Sequence, residues 1–389
     1  MYRLLEFEEL YLKTKLAPGL VSLYSNRIIQ QIASGLVGLF LPIFLFIYLG
    51  ASIHKVLLFY ITSFILFGLL VPLGAMLMSR IGLKISMILG SLFLIGYFIS
   101  LYLLSNNWFI ALFLALAAIT LFRMLYWIPY HTDFAEFTNK RSRGKEIALL
   151  VSVTTLIGIF LPFFAGLILD KFNFSVLFLI SIIIASISII PIILVKSVQE
   201  KYSYSYWQTF KELFKKKNRK LFLAFSGDGA ETVVGMVAWP IFIFQLLKGD
   251  YLAVGIVTSL IVLASITLRL IIGALTDKIS KRRLIKIGSV LYFFGWFGKI
   301  FVQTAFQIFV VSSYHSFAAI VRRTPFTTLM YEQAADRGHY VDEYTVLREI
   351  ALNLGRVLML VLLFVLYLFT GLNFGFILAA IASLLINIL

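Results

Sequence analysis

Residues 175–195 read SVLFLISIIIASISIIPIILV, an unbroken apolar run without one charged side chain. A helix rises about 1.5 Å per residue, so a run of this length crosses the ~30 Å hydrocarbon layer of a bilayer. Runs of the same kind fill the chain on both sides of it. Of 389 residues, 61% are hydrophobic and only 13% are charged, against about 45–50% and about 25% in soluble domains. A water-soluble fold has too little interior to hide that surface. The runs are long and continuous, which excludes a transmembrane β-barrel, whose strands alternate over short segments. There is no cysteine, which excludes a disulfide-built fold.

The pattern predicts an all-α polytopic membrane protein with twelve spans. They fall at 23–48, 55–78, 85–104, 108–129, 147–169, 175–195, 221–247, 252–273, 287–303, 305–321, 350–369 and 373–389. Residues 1–15, MYRLLEFEELYLKTK, mix acids and bases and do not read as a cleavable signal peptide. Net charge is +16, which in a soluble protein points to nucleic acid. Here the distribution answers instead. Alternate loops carry 26 Lys and Arg on one side and 3 on the other. That asymmetry places both termini and the long loops in the cytoplasm, with the chain in the cell's inner or plasma membrane, and needs no nucleic-acid partner. The longest polar stretch between spans is 196–220, KSVQEKYSYSYWQTFKELFKKKNRK. It is expected to be a basic linker at the anionic leaflet, with a short surface helix that puts Trp207, Phe210 and Phe214 on one side and lysines on the other.

The two parts flanking this linker, 1–195 and 221–389, repeat. Leu41-Pro42-Ile43-Phe44-Leu45-Phe46 matches Trp239-Pro240-Ile241-Phe242-Ile243-Phe244 at an offset of 198. Gly90-Ser91 matches Gly288-Ser289, also at 198, and Pro129 matches Pro325 at 196. Lys145-Glu146-Ile147-Ala148-Leu149 matches Arg348-Glu349-Ile350-Ala351-Leu352 at 203. Four matches in order, at nearly one offset, are hard to assign to chance. An offset of six spans keeps the same topology in each half, so the repeats are parallel, about an axis along the membrane normal.

Two loops carry a recognisable signature. After span 2 the chain reads Gly74-Ala75-Met76-Leu77-Met78-Ser79-Arg80-Ile81-Gly82-Leu83-Lys84. After span 8 it reads Gly273-Ala274-Leu275-Thr276-Asp277-Lys278-Ile279-Ser280-Lys281-Arg282-Arg283. Both resemble the cytoplasmic Gly-x-x-x-Asp-Arg-x-Gly-Arg-Lys signature of the major facilitator superfamily. Glycine lets two helices approach, the acid caps or pairs at a helix end, and the basic residues hold the turn at the inner leaflet. Gly74, Arg80, Gly82, Lys84, Gly273, Asp277, Lys278 and Arg282 are therefore the expected cytoplasmic gate. Ser79 stands where the family has aspartate, and Ser280 where it has glycine. The resemblance implies a secondary transporter whose spans 1, 4, 7 and 10 line a central cavity.

Ionisable groups at membrane depth are costly and mark function or a partner. Span 7 holds Asp228 and Glu231 in Ser226-Gly227-Asp228-Gly229-Ala230-Glu231. Three residues apart, they share a helix face. Gly227 and Gly229 either loosen the helix or admit a neighbour. The repeat sets Gln30 of span 1 at the height of Asp228. The acids are candidates for proton or solute binding; the structural alternative is an ion pair with Arg123 of span 4 or Arg356 of span 11. Arg123 resembles the span 4 arginine of proton-coupled family members, without the glycine that usually follows it. Arg356 is placed to keep the acids ionised or to meet an anionic group on the substrate. His315 of span 10 is a candidate proton relay or a satisfied interior histidine. Lys299, Arg27 and Arg269 are expected to snorkel to an interface. Gly158, Pro162 and Gly166 in span 5 read as kink and packing. His131, Asp133 and Glu136 are expected in a cytoplasmic loop, as part of a salt-bridged gate and not as metal ligands.

No enzyme signature is present: no Walker loop, no His-Glu-x-x-His, no nucleophile elbow. No cofactor or metal is expected. The expected partners are a small-molecule substrate, protons and membrane lipids. The leading function is a secondary transporter that rocks two six-helix halves around a midplane site. The rivals are a lipid or lysolipid flippase on the same fold, and a non-transporting scaffold or sensor, which need not carry the cost of intramembrane charge.

Overall fold

The computed structural model describes residues 18–105, 108–137, 143–195, 201–276, 280–335 and 341–388. Each expected span is helical there, and no strand occurs among the described residues. Span 1 is Pro18–Gly38 continued by Leu41–Tyr48, span 2 is Ile53–Ile81, span 3 Leu83–Tyr102, span 4 Trp108–Phe137 and span 5 Arg143–Lys171. Span 6 is Phe174–Ile187 with Ile189–Ile193. Span 7 is Arg219–Leu246, span 8 Tyr251–Thr276, span 9 Lys281–Lys299, span 10 Ala305–Ala335, span 11 Val341–Leu366, and span 12 Gly375–Ser383 with a 3-10 turn over Leu384–Ile388. Eight of the described helices are long and apolar enough to cross a membrane, and the shorter helices Tyr251–Thr267 and Leu372–Ile388 are apolar as well. Spans 9 and 10 carry charged side chains within the helix.

The repeat is visible in the turns. Gly50 and Ala51 after span 1 have φ of 78° and 56°, and Lys248 and Gly249 after span 7 have 55° and 84°. The left-handed pair thus recurs at the same two positions, and glycine stands at one of them in each copy. Ser52 Oγ then accepts from Lys55 N at 3.4 Å, and Asp250 Oδ1 from Ala253 N at 2.9 Å, capping spans 2 and 8 alike. One difference stands out. Span 1 breaks after Gly38, because Pro42 offers no N–H to Gly38 and glycine tolerates the break; span 7 has Met236 there and continues through Pro240.

Between the two six-span parts, span 2 packs on span 11 and span 5 on span 8. A Cβ on Gly166 would lie 2.6 Å from Tyr251 O, and one on Gly255 2.4 Å from Pro162 O. Spans 5 and 8 therefore touch backbone to backbone, in the small-residue mode of membrane helices. Phe163 N also donates to Ser259 Oγ at 3.0 Å.

Several expected ends move, among them those of spans 9 and 11, which start at Lys281 and Val341. Span 4 runs on to Phe137, span 5 starts at Arg143, and span 10 continues to Ala335. His131, Asp133 and Glu136 therefore sit on a helix and not in a loop; their side chains lie outside the described residues. Arg322 and Arg323, counted above among the loop cations, lie inside span 10.

The linker does contain a helix, Tyr206–Leu213, started by a capping box between Ser205 and Gln208. Thr209, Glu212 and Leu213 form its buried face. Trp207 is 73% exposed and Phe214 65% exposed. Phe210 is half-buried and Lys211 exposed. Spacings of four and seven put Lys211 on the same stripe as Trp207 and Phe214, so the expected split of aromatics from lysines is not what forms. Glu212 accepts from Lys215 and forms an ion pair with Lys217 at 3.1 Å, and these cations, Lys215 first, hold its carboxyl below the usual carboxylate value. Just before the helix, Tyr202 N donates to Ser79 Oγ of span 2 at 2.8 Å and Ser203 N to Glu343 Oε1 of span 11 at 3.0 Å.

Candidate functional site

The acids of span 7 do not meet the arginines that the sequence offered. Glu231 is 2% exposed and faces Arg322, 0% exposed, with Arg322 Nη2 3.0 Å from Glu231 Oε2. The other carboxylate oxygen accepts from Tyr292 Oη and, at 3.2 Å, from Trp296 Nε1. Span 9 thus supplies two neutral donors and span 10 the cation. The guanidinium carbon lies 3.9 Å from the centre of the Tyr292 ring, and Arg322 Nη1 reaches Ser383 O of span 12 at 3.4 Å. Asp228, one turn earlier, lies 3.8 Å from Arg322 Nη2 and 3.7 Å from Arg323 Nη2. Arg323, its side chain 51% exposed, also donates to Thr232 Oγ1 at 3.2 Å. The result is an alternating chain, Glu231–Arg322–Asp228–Arg323, formed by spans 7 and 10.

Glycine makes this possible. A Cβ on Gly288 of span 9 would sit 2.6 Å from Arg322 N, so spans 9 and 10 touch at the arginine itself. Gly90 of span 3 meets Tyr126 N of span 4 in the same way, with a Cβ at 3.0 Å. Tyr126 is the repeat's counterpart of Arg322, by the offset of 196 that joins Pro129 and Pro325. It donates to Asn26 Oδ1 at 2.6 Å, and Asn26 Nδ2 donates to Ser188 O at 2.7 Å. Gln30, the counterpart of Asp228, donates to Ser91 Oγ at 3.0 Å. At the positions of Arg322 and Asp228 the first half thus carries the neutral side chains Tyr126 and Gln30, each hydrogen-bonded in the interior.

Arg123 and Arg356 form a second feature. Arg123 Nη1 donates to Ser63 Oγ at 2.9 Å, and Arg356 Nη1 to Asn353 Oδ1 at 3.0 Å. Their guanidinium carbons lie 5.0 Å and 5.1 Å from the same Phe64 ring. Among the described residues no carboxylate comes within ion-pair distance of either. The pairing of Asp228 or Glu231 with Arg123 or Arg356 is therefore corrected to Arg322 and Arg323. Helix rotation is the reason: the acid face of span 7 turns toward spans 9 and 10.

His315 is buried, stacked on Tyr292 at 4.0 Å between ring centres, with Nε2 unpartnered. Lys299 does not snorkel. It is 3% exposed, with Nζ 4.0 Å from the Trp296 ring centre and 4.4 Å from that of Trp239. Arg27 stacks over Trp127 at 4.7 Å and Tyr130 at 5.6 Å. The side chain of Arg269 lies outside the described residues.

Of the expected gate, Gly74 admits Met124 of span 4, where a Cβ would lie 2.6 Å from Met124 O. Arg80 is exposed, Gly82 turns the chain between spans 2 and 3 at φ 83°, and Lys84 Nζ caps the end of span 6 at Ile193 O. Gly273 lies in the last turn of span 8 and Arg282 is exposed at the start of span 9. Asp277 and Lys278 lie outside the described residues.

Arg322, Arg323, Tyr292 and Trp296 are the site residues that reading the sequence missed. A signal was there: the proline match at 196 places Arg322 opposite Tyr126, three residues inside the helix, and would have lengthened span 10.

The described helices, long and apolar and repeated in order, with paired charges in the interior, define a polytopic membrane protein. Comparison with known proteins agrees. The sequence profile of the Major Facilitator Superfamily matches residues 23–341. Among curated proteins none matches the sequence significantly. Solved structures share the fold: a POT family transporter in complex with 5-aminolevulinic acid, at TM-score 0.71 and 14% identity, covering 95% of this chain and 94% of that one. A peptide transporter POT in complex with sulfate gives TM-score 0.70 and 11% identity, covering 95% and 92%. The chain belongs to the Major Facilitator Superfamily. It is an integral membrane protein of a family of secondary transporters for small solutes.

Proposed function

We propose that the protein is a proton-coupled secondary transporter of a small solute bearing an anionic group. Residues 1–195 and 221–389 rock against each other by alternating access, joined by the 196–220 linker. Glu231 loads the proton, Asp228, shared with Arg323, then balances the charge of Arg322, and Arg123 with Arg356 meet the anionic group. His315 stacks on the Tyr292 ring and carries no proton in this scheme. The observation that carries this reading is the buried Glu231–Arg322 pair. Protonating Glu231 removes the charge that balances Arg322 and leaves Asp228, shared with Arg323, as its nearest counterion. A buried pair that depends on one proton is a two-state element, and alternating access needs one. Two cations without an acid among the described residues, Arg123 on one half and Arg356 on the other, support an anionic group that draws the halves together.

Glu231→Gln mimics the protonated form. In proteoliposomes it should abolish uphill transport driven by a pH gradient while downhill exchange of solute survives. Uphill transport at the wild-type rate would remove Glu231 from coupling. Orientation is tested separately, on a chain that offers no native thiol. A cysteine at Asn173 should react with an impermeant thiol reagent added to intact cells, and one at Ser205 should not. Labelling of Ser205→Cys from outside would reverse the proposed cytoplasmic placement of the termini.

A further inference from the structure

Beside Lys299 lies a cavity of about 250 Å³, lined from spans 1, 7, 8, 9 and 10. It shares no residue with the Arg123–Arg356 pair or with the Glu231–Arg322 pair. Its polar lining is gathered on one side. Lys299 contributes an ammonium held against two indole rings, and no carboxylate comes within ion-pair distance among the described residues. Thr258, Ser312 and His315 line the same space, and their Oγ1, Oγ and Nε2 atoms are buried without a hydrogen-bond partner. Unmatched buried polar atoms are costly, and native proteins satisfy nearly all of them. Three beside one cation form a prepared set of hydrogen-bonding groups around one positive charge. The opposite wall is apolar: Leu39, Pro240, Ile243 and Ile261.

We propose that this cavity is a binding site for a short-chain monocarboxylic acid. The carboxylate pairs with Lys299 and accepts from Ser312 and Thr258, and His315 closes the polar end. The alkyl body lies on the Leu39, Pro240, Ile243 and Ile261 wall. One cation without a second calls for one negative charge. The volume is below the ~300–1,000 Å³ of drug-sized sites, which calls for a ligand of a few carbons. An apolar wall on one side and hydrogen-bonding groups on the other match an acid with a body better than a bare inorganic anion. The site stands independently of the coupling role given to Glu231.

The test uses the full-length protein in detergent, with sodium butyrate as probe and butyramide and sodium chloride as controls. Melting temperature and tryptophan fluorescence, sensitive to Trp239 and Trp296, are read together. Butyrate should raise the melting temperature saturably, and the two controls should not. Lys299→Met should abolish the response. Thr258→Val with Ser312→Ala keeps the cation and the packing, and decides the matter if Lys299→Met fails to fold. That double variant should bind about tenfold more weakly, as expected for lost charge-assisted hydrogen bonds. No butyrate response in the folded wild type, an equal response to chloride, or an undiminished response in the double variant would overturn the site. Uptake of labelled butyrate is measured separately. Binding without uptake keeps the site and removes butyrate from the solutes transported.

Discussion

Arg322→Met will be among the most damaging single exchanges in the protein. It strips the cation from a carboxylate that is 2% exposed and leaves Glu231 with only Tyr292 and Trp296 as donors. Removing one partner of a buried pair costs about 3–5 kcal/mol, because the other charge stays behind without solvent. Melting of the detergent-solubilised protein should show a large drop, with low yield on expression. Glu231→Gln should cost less. Glutamine still accepts from Tyr292 and Trp296, and Arg322 keeps Asp228 at 3.8 Å. Combining Glu231→Gln with Arg322→Met should recover much of the loss, since no uncompensated charge is then buried. Arg323→Met is the control. That side chain is half in the open and shares its acid with Arg322, so the change should cost no more than about 1 kcal/mol. Wild-type melting in Arg322→Met would show that the pair does not hold the fold together.

Gly355→Ala should be nearly as severe, for a steric reason. A Cβ on Gly355 of span 11 would lie 1.9 Å from Ser226 O of span 7, and one on Gly229 of span 7 would lie 2.1 Å from Leu352 O of span 11. The two helices cross with each glycine set into the other's backbone. A backbone carbonyl cannot swing aside as a side chain can, so the helices must separate and the contacts around the crossing open. Overpacking of this kind costs about 1–3 kcal/mol, and the backbone contact puts it at the upper end. Gly158→Ala makes the comparison. Nothing lies within 4 Å of a Cβ there. Alanine is a better helix former than glycine by about 1 kcal/mol, so the change should be neutral or stabilising. Melting temperatures of the two variants decide the point: equal, small shifts would mean that spans 7 and 11 are not packed backbone to backbone.

The crossing also settles the two roles offered to Gly227 and Gly229. They admit neighbours: Gly229 takes Leu352, and a Cβ on Gly227 would lie 2.5 Å from Leu385 Cβ of span 12. The helix runs on unbroken from Arg219 to Leu246. The dipeptide spacing said that something special happens beside Asp228. It did not say what, because a small residue that loosens a helix and one that lets a second helix in look alike along a single chain.

The sequence alone determined the helical spans, the parallel repeat and the superfamily, because each is written in local physical quantities. Hydrocarbon thickness sets run length, and a duplicated backbone keeps its prolines and glycines in register. It also located Asp228 and Glu231, since a carboxylate at membrane depth is conspicuous wherever it points. The tertiary structure decided their partners. A hydropathy reading ends a span at two adjacent arginines, because bare cations do not belong in lipid. The folded chain keeps Arg322 inside, because Glu231, Tyr292 and Ser383 arrive from three other spans to receive it. Lys299 follows the same logic: alone on its helix it reads as a residue reaching for the interface, and only Trp239, brought by span 7 to face Trp296, gives its charge a place in the interior.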